Sequence, residues 1–143
     1  MASQRFFFKY GKEQLSLSIE NARSIRVLEG APLPPVSDLP RAFLHGVTDG
    51  ALGAPLKDRL CPQDKITLVI SDITRFWMRQ DQIVSLLTSY LTETLDIPRE
   101  NIAILVALGT HRPMTEAELK TLVTPEVYAR FAVFNHDCMA DDL

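Results

Sequence analysis

Apolar, mostly β-branched residues concentrate in two short runs, Ile66-Thr67-Leu68-Val69-Ile70 and Ile102-Ala103-Ile104-Leu105-Val106. Between them, Ile83, Val84, Leu86, Leu87, Tyr90, Leu91 and Leu95 recur at helical spacing, so Asp81 to Leu95 reads as an amphipathic helix. Asp81 favours its start and Asp96-Ile97-Pro98 its end. Strand, helix and strand in that order predict a βαβ unit with parallel strands and a crossover helix. Further on, Thr115-Glu116-Ala117-Glu118 has the form of a capping box and starts a short helix to about Val123. Pro125 starts another turn to Arg130, and Phe131 to Phe134 reads as a third short strand. If that strand is parallel to the others, Asn135, His136 and Asp137 emerge at the same sheet edge as the two earlier strand ends.

The N-terminal pattern is different. Gln4 to Tyr10 is rich in aromatics, Gly11-Lys12 offers a turn, and Leu15, Leu17 and Ile19 alternate with Gln14, Ser16 and Ser18. Period-two alternation around a glycine turn predicts a β-hairpin with one face buried. Ser24 to Leu28 can add a short strand. Gly30-Ala31-Pro32-Leu33-Pro34-Pro35 then interrupts regular structure, because proline lacks an amide donor and restricts the residue before it. Ser37 or Asp38 caps a helix to about His45 or Gly46, and Leu56 to Leu60 makes one helical turn. The expected architecture is α/β: a Rossmann-like open, mainly parallel sheet with flanking helices, preceded by an N-terminal β-hairpin. It is read as a single domain over 1–143, with the hairpin region at 1–30, a connector with short helices at 31–60 and the βαβ core at 61–143.

Composition narrows the function classes. A chain of 143 residues, 46% apolar and 23% charged, is about one domain with a real core. A net charge of −3 gives no general attraction to nucleic acid or to an anionic membrane surface. No apolar run approaches the roughly 20 residues that span a bilayer, and Lys9 cuts off the apolar Phe6-Phe7-Phe8. A cytoplasmic location is expected, with no nucleic-acid or membrane partner. Cys61 and Cys138 lack metal-type spacing and are expected as free, buried or half-buried thiols.

The candidate chemistry lies in the segments after the two strands of the βαβ unit, Ser71-Asp72-Ile73-Thr74-Arg75 and Leu108-Gly109-Thr110-His111-Arg112-Pro113. Ligands of open parallel sheets bind beyond the carboxyl ends of the strands, where both loops sit. Arg75 and Arg112 suit oxyanions, since a guanidinium offers a forked set of donors. Thr74, Thr110 and the Gly109 backbone add uncharged donors. Asp72 either orients an arginine or accepts from a ligand hydroxyl. His111 is by residue type the natural proton carrier. Each loop alone reads as a capped turn, with Asp72 accepting backbone amides and Arg75 paired to it; their shared placement favours a site. Trp77 and Met78 are expected to pack or to line its wall, and His136 and Asp137 to support it from behind. His45, near a helix end, is given no catalytic role.

Here the sequence resembles the N-terminal domain of the nickel-pincer-dependent lactate racemase family. The resemblance rests on Val69-Ile70-Ser71-Asp72-Ile73-Thr74-Arg75 and on Leu105-Val106-Ala107-Leu108-Gly109-Thr110-His111-Arg112-Pro113, followed by Thr115-Glu116-Ala117-Glu118-Leu119. Pro55-Leu56 and Leu60 fit the same layout. The resemblance implies a racemase or epimerase of 2-hydroxy acids, in which a nickel-pincer nucleotide takes a hydride from the substrate Cα and histidines exchange the hydroxyl proton. It implies that His111 is one such histidine, that Arg75 binds and polarises substrate oxyanions, and that Asp72 belongs to the same cofactor-facing loop. Thr74 and Arg112 join them as substrate- or cofactor-binding residues.

The resemblance also implies what this chain lacks. The pincer-attaching lysine, the second catalytic histidine and the nickel-binding histidine lie in a C-terminal region beyond Leu143. No metal ligand is therefore assigned here, no cofactor is held covalently by this chain, and the missing domain is expected in cis or in trans. Ile73 and Phe76 depart from the family pattern, which has histidine and proline there, and put lactate itself in question among small 2-hydroxy acids. Without the completing domain the chain is expected to be inactive alone. The alternative is a non-catalytic module that binds a nucleotide or organic anion, and an inert fragment is a third reading. An exposed apolar flank favours the missing-domain reading over an independent module.

Overall fold

A computed structural model describes residues 2–140. The chain divides into two compact units, Met1–Pro35 and Val36–Leu143.

In the first unit, β1 (Ala2–Tyr10) and β2 (Glu13–Ala22) pair antiparallel. Phe6 lies opposite Leu17 and Phe8 opposite Leu15, so these four share one face, with Phe7 on the other opposite Ser16. Gly11 takes φ +60 in the two-residue connection, the left-handed conformation that a tight hairpin turn demands at its first position. The hairpin is as expected, but its apolar face is not buried: Phe8, Leu15 and Leu17 are exposed. Alternation identifies which face is apolar, whereas burial needs a second layer, and a two-stranded ribbon supplies none of its own. Ser24 to Leu28 is not a strand; among the described residues no strand pairs with it, and Val27 and Leu28 are exposed.

The second unit begins with α1 (Leu39–Val47), whose N-cap Asp38 accepts from the Arg41 amide at 3.0 Å. A 3-10 turn at Leu56–Asp58 follows. The parallel sheet comprises β3 (Ile66–Ser71), β4 (Ile102–Ala107) and β5 (Ala132–Asn135) in the order β3-β4-β5. Ile70 pairs with Val106 in register, and Val106 with Asn135. The crossovers are α2 (Gln80–Ser89) from β3 to β4, and α3 (Glu116–Val123) with α4 (Pro125–Arg130) from β4 to β5. Right-handed crossovers that step in one direction across a sheet put their helices on one face, and α2 packs on α3 and α3 on α4.

That layer forms the core. Ile70, Ile104 and Val106 from the strands meet Val84, Leu91, Leu122 and Val123 from the helices. The opposite sheet face carries a row made by Val69, Leu105 and Phe134, neighbours in register, flanked by Ala103, Ala107 and Ala132. Val69 is 64% and Phe134 55% exposed.

The crossover helix departs from the simple periodic reading in two ways. After Ser89 it widens into a π-helical turn over Tyr90–Thr94, alongside Thr88 and Thr92 hydroxyls that donate back to the carbonyls of Val84 and Thr88. Ile83, expected on the apolar face, is exposed. The first candidate loop is also more regular than expected, because Ile73–Met78 winds into a 3-10 helix capped by Asp72. Cys61 and Cys138 are free but exposed rather than buried, both lying outside regular elements. Among the described residues, no helix is long and apolar enough to cross a membrane.

Candidate functional site

The strand ends of β3 and β4 deliver the two candidate loops side by side. Asp72 directly follows β3 and is only 3% exposed. One carboxylate oxygen accepts from the Thr74 amide at 3.0 Å and from the Thr74 hydroxyl at 2.5 Å. The other faces Nδ1 of His111. After β4, Leu108 is buried and the His111 amide donates to its carbonyl at 3.0 Å, closing a tight turn. Gly109, second in that turn, has φ +56, and a Cβ there would meet nothing, so glycine answers to the backbone rather than to space.

The electrostatics of the pair follow from this geometry. Hydrogen bonding by the Thr74 hydroxyl, then by His111, holds the Asp72 carboxyl below its usual range, against the opposing effect of burial. Asp72 is therefore an anion that only accepts, and Nδ1 of His111 must carry the proton between them. In the neutral ring this leaves the Nε2 lone pair as the acceptor. The His111 side chain is 56% exposed, so it is anchored at one nitrogen and open on the rest of the ring.

A cavity of about 230 Å³ is lined by Asp72, Ile73, Thr74, His111, Arg112 and Met114. Four of the five proposed site residues thus meet around one space. Asp72 was expected to orient an arginine or to meet a ligand; it is instead committed to His111 and Thr74. Arg112 was expected as a free oxyanion fork, and both its terminal nitrogens are engaged by Glu118, at 2.7 and 2.8 Å. Arg112 also holds the Glu118 carboxyl down, to about 2. The cause is local: Glu118 is the capping-box residue of α3, and that role places its carboxylate at the helix start beside Arg112. Arg112 brings charge to the rim, not an empty fork.

Arg75 stands apart from this cavity. It is exposed on the 3-10 helix, and no side-chain ion pair or hydrogen bond of its guanidinium is made among the described residues. Trp77 is exposed, and Met78 lines a groove along β3 rather than the Asp72–His111 space. The His136 amide extends the sheet by donating to the Val106 carbonyl, and Asp137 accepts from the Met139 amide in a turn. Neither reaches the pair. Gln80, which has no expected role, and Asn135, expected only to emerge at the sheet edge, each make two hydrogen bonds to the backbone bounding the loops. No short-range pattern marks them, since their partners are 9 and 21 residues away.

Over residues 10–143 the sequence matches the lactate racemase N-terminal domain. The chain belongs to that family. A search of curated proteins finds no match. The order of strand, acidic loop, helix, strand and histidine loop is what brings Asp72 and His111 together in this lactate racemase N-terminal domain. Among the described residues, no group of three His, Cys, Asp or Glu side chains is placed to hold a metal. The open Nε2 of His111 suits a hydroxyl donor, whereas the cationic side chain on the cavity wall, Arg112, is already paired with Glu118.

Proposed function

We propose that this domain forms one wall of the active site of a 2-hydroxy acid racemase or epimerase. The observation that carries the reading is the Asp72–His111 pair at the carboxyl edge of the sheet, with one carboxylate anchored by Thr74 and one imidazole face open. Nε2 of His111 accepts the hydroxyl proton of a small 2-hydroxy acid as that substrate is oxidised at Cα. Asp72 stabilises the resulting imidazolium and keeps the ring oriented for the proton's return. Arg112 is occupied by Glu118, so Arg75, exposed on the 3-10 helix outside the cavity, is the cation left to meet the substrate carboxylate. The nickel-pincer nucleotide of the family would supply the hydride acceptor and donor. No nickel ligand and no covalent attachment point is assigned among the residues of this chain.

A second domain, in cis or in trans, completes the site in this reading. Parallel sheets are ordinarily covered on both faces, and the row of exposed Val69 and Phe134 on either side of half-buried Leu105 supports a partner body over a free-standing anion-binding module. Ile73 and Met114 on the cavity wall fit a substrate with an apolar portion. A cytoplasmic setting accords with two unpaired, exposed cysteines. The test is reconstitution: joined to a complementary family domain and loaded with cofactor and nickel, the protein interconverts the enantiomers of a small 2-hydroxy acid. No interconversion across a panel of such acids, together with binding of a nucleotide by the isolated chain that Arg75→Ala abolishes, would favour the binding module instead.

A further inference from the structure

Two side-chain amides bracket the candidate site. Gln80, the first residue of α2, donates from Nε2 to the Ser71 carbonyl at 2.6 Å and accepts from the Ser71 amide at 3.0 Å. Ser71 ends β3, an outer strand of the sheet, and directly precedes Asp72. The Gln80 amide stands where a neighbouring strand would otherwise pair. Asn135, the last residue of β5 on the opposite edge, repeats the arrangement with Met114: it accepts from the Met114 amide at 2.9 Å and donates to its carbonyl at 3.0 Å. Met114 ends the histidine loop and lines the cavity.

The chemistry of the clasp is specific. A primary amide presents a donor and an acceptor in one plane, so it can satisfy a backbone N–H and C=O together. An ionised carboxylate of the same shape only accepts, and it repels the carbonyl. The first loop is also fixed at its far end. Arg79 takes a left-handed φ of 54 and is held by two hydrogen bonds to Asp81, at 2.9 and 3.0 Å, where the 3-10 helix stops. Both loops are thereby tied to rigid elements, and the Asp72–His111 contact lies between the ties.

We propose that Gln80 and Asn135 are positioning residues that hold Asp72 against Nδ1 of His111 by clasping the backbone of Ser71 and of Met114. The inference rests on that pair being the proton carrier of the proposed function, but its test needs no turnover. In the full chain, the imidazole N–H that donates to Asp72 gives a downfield proton resonance by NMR, assigned by its loss in His111→Ala. Gln80→Glu and Asn135→Asp keep shape and remove the donor of each clasp. Each is expected to lose the resonance while the backbone amide spectrum stays dispersed. Should Gln80→Glu lose that dispersion, the neutral Gln80→Met takes its place with the same expected loss. A resonance that persists in folded clasp variants, with only a lower melting temperature, would assign the amides a purely structural part and overturn the inference. Its absence from the parent chain would overturn the Asp72–His111 pairing itself, and the proposed function with it.

Discussion

Asp72 and His111, 39 residues apart in sequence, meet through a carboxylate oxygen and Nδ1 at the carboxyl edge of a parallel sheet. Their exposures are opposite: the carboxylate is buried and the ring is open on its far side. A buried anion that fixes one nitrogen of an accessible imidazole makes the other nitrogen a proton acceptor of defined direction. This relationship, more than any single residue, gives the domain its chemical character.

Asp72→Asn should therefore damage turnover more than binding. The amide can donate to Nδ1, which favours the tautomer with its proton on Nε2 and removes the acceptor. In the reconstituted enzyme, kcat is expected to fall by about 10²–10⁴, the usual scale of general acid–base catalysis, with little change in KM. Steady-state kinetics check this, and a change confined to KM would count against it.

Thr74 is the strongest influence on the Asp72 carboxyl. Thr74→Ala should raise the Asp72 pKa toward its ordinary value and cost about 1.5–3 kcal/mol in stability, the usual worth of a hydrogen bond to a charged group, while the Thr74 amide still satisfies that oxygen. Thr74→Ser should restore most of both. Denaturant unfolding and carboxyl titration by NMR measure the two effects.

Acid should weaken the second unit through groups of known sign. Glu118 is lowered from 4.5 to about 2, chiefly by hydrogen bonding from Arg112. A carboxyl with a lowered folded-state pKa stabilises the fold above its unfolded value, and that contribution disappears as pH falls through the folded value. The Glu118 contribution is accordingly lost between about 4.5 and about 2. Glu118→Gln should flatten the fall in denaturation midpoint across that window, and a profile as steep as the parent's would argue against the assignment.

Much of this fold is legible in the sequence because it depends on local chemistry. β-branched runs mark β3 and β4, and Thr115 with Glu118 marks the start of α3 through a capping box that is present as expected. The site is legible only as a neighbourhood. Strand ends predict that Asp72 and His111 lie near one another, but the choice of His111 over an arginine as the partner of Asp72 is tertiary. Glu118 was readable as a cap, yet not as the partner of Arg112, because one carboxylate does both. Gln80 and Asn135 carry no local signature at all. In the same way, alternation in the hairpin names its apolar face without naming what covers it, and exposed Ile83 shows that helical spacing predicts a face only approximately.

The open sheet face makes a separate prediction. Phe134→Glu replaces an exposed side chain and should change the stability of the isolated chain by no more than about 0.5 kcal/mol. It should nevertheless weaken association with the complementary domain, which analytical ultracentrifugation or lost reconstitution would register. Unchanged association would place the partner on another surface.

The role proposed for His111 is to carry the substrate hydroxyl proton. The most direct measurement is enantiomer interconversion by the reconstituted, cofactor-loaded enzyme carrying His111→Ala, with folding and domain association verified in the same preparation. Interconversion should be abolished while both are retained; full activity in that variant would contradict the role of His111.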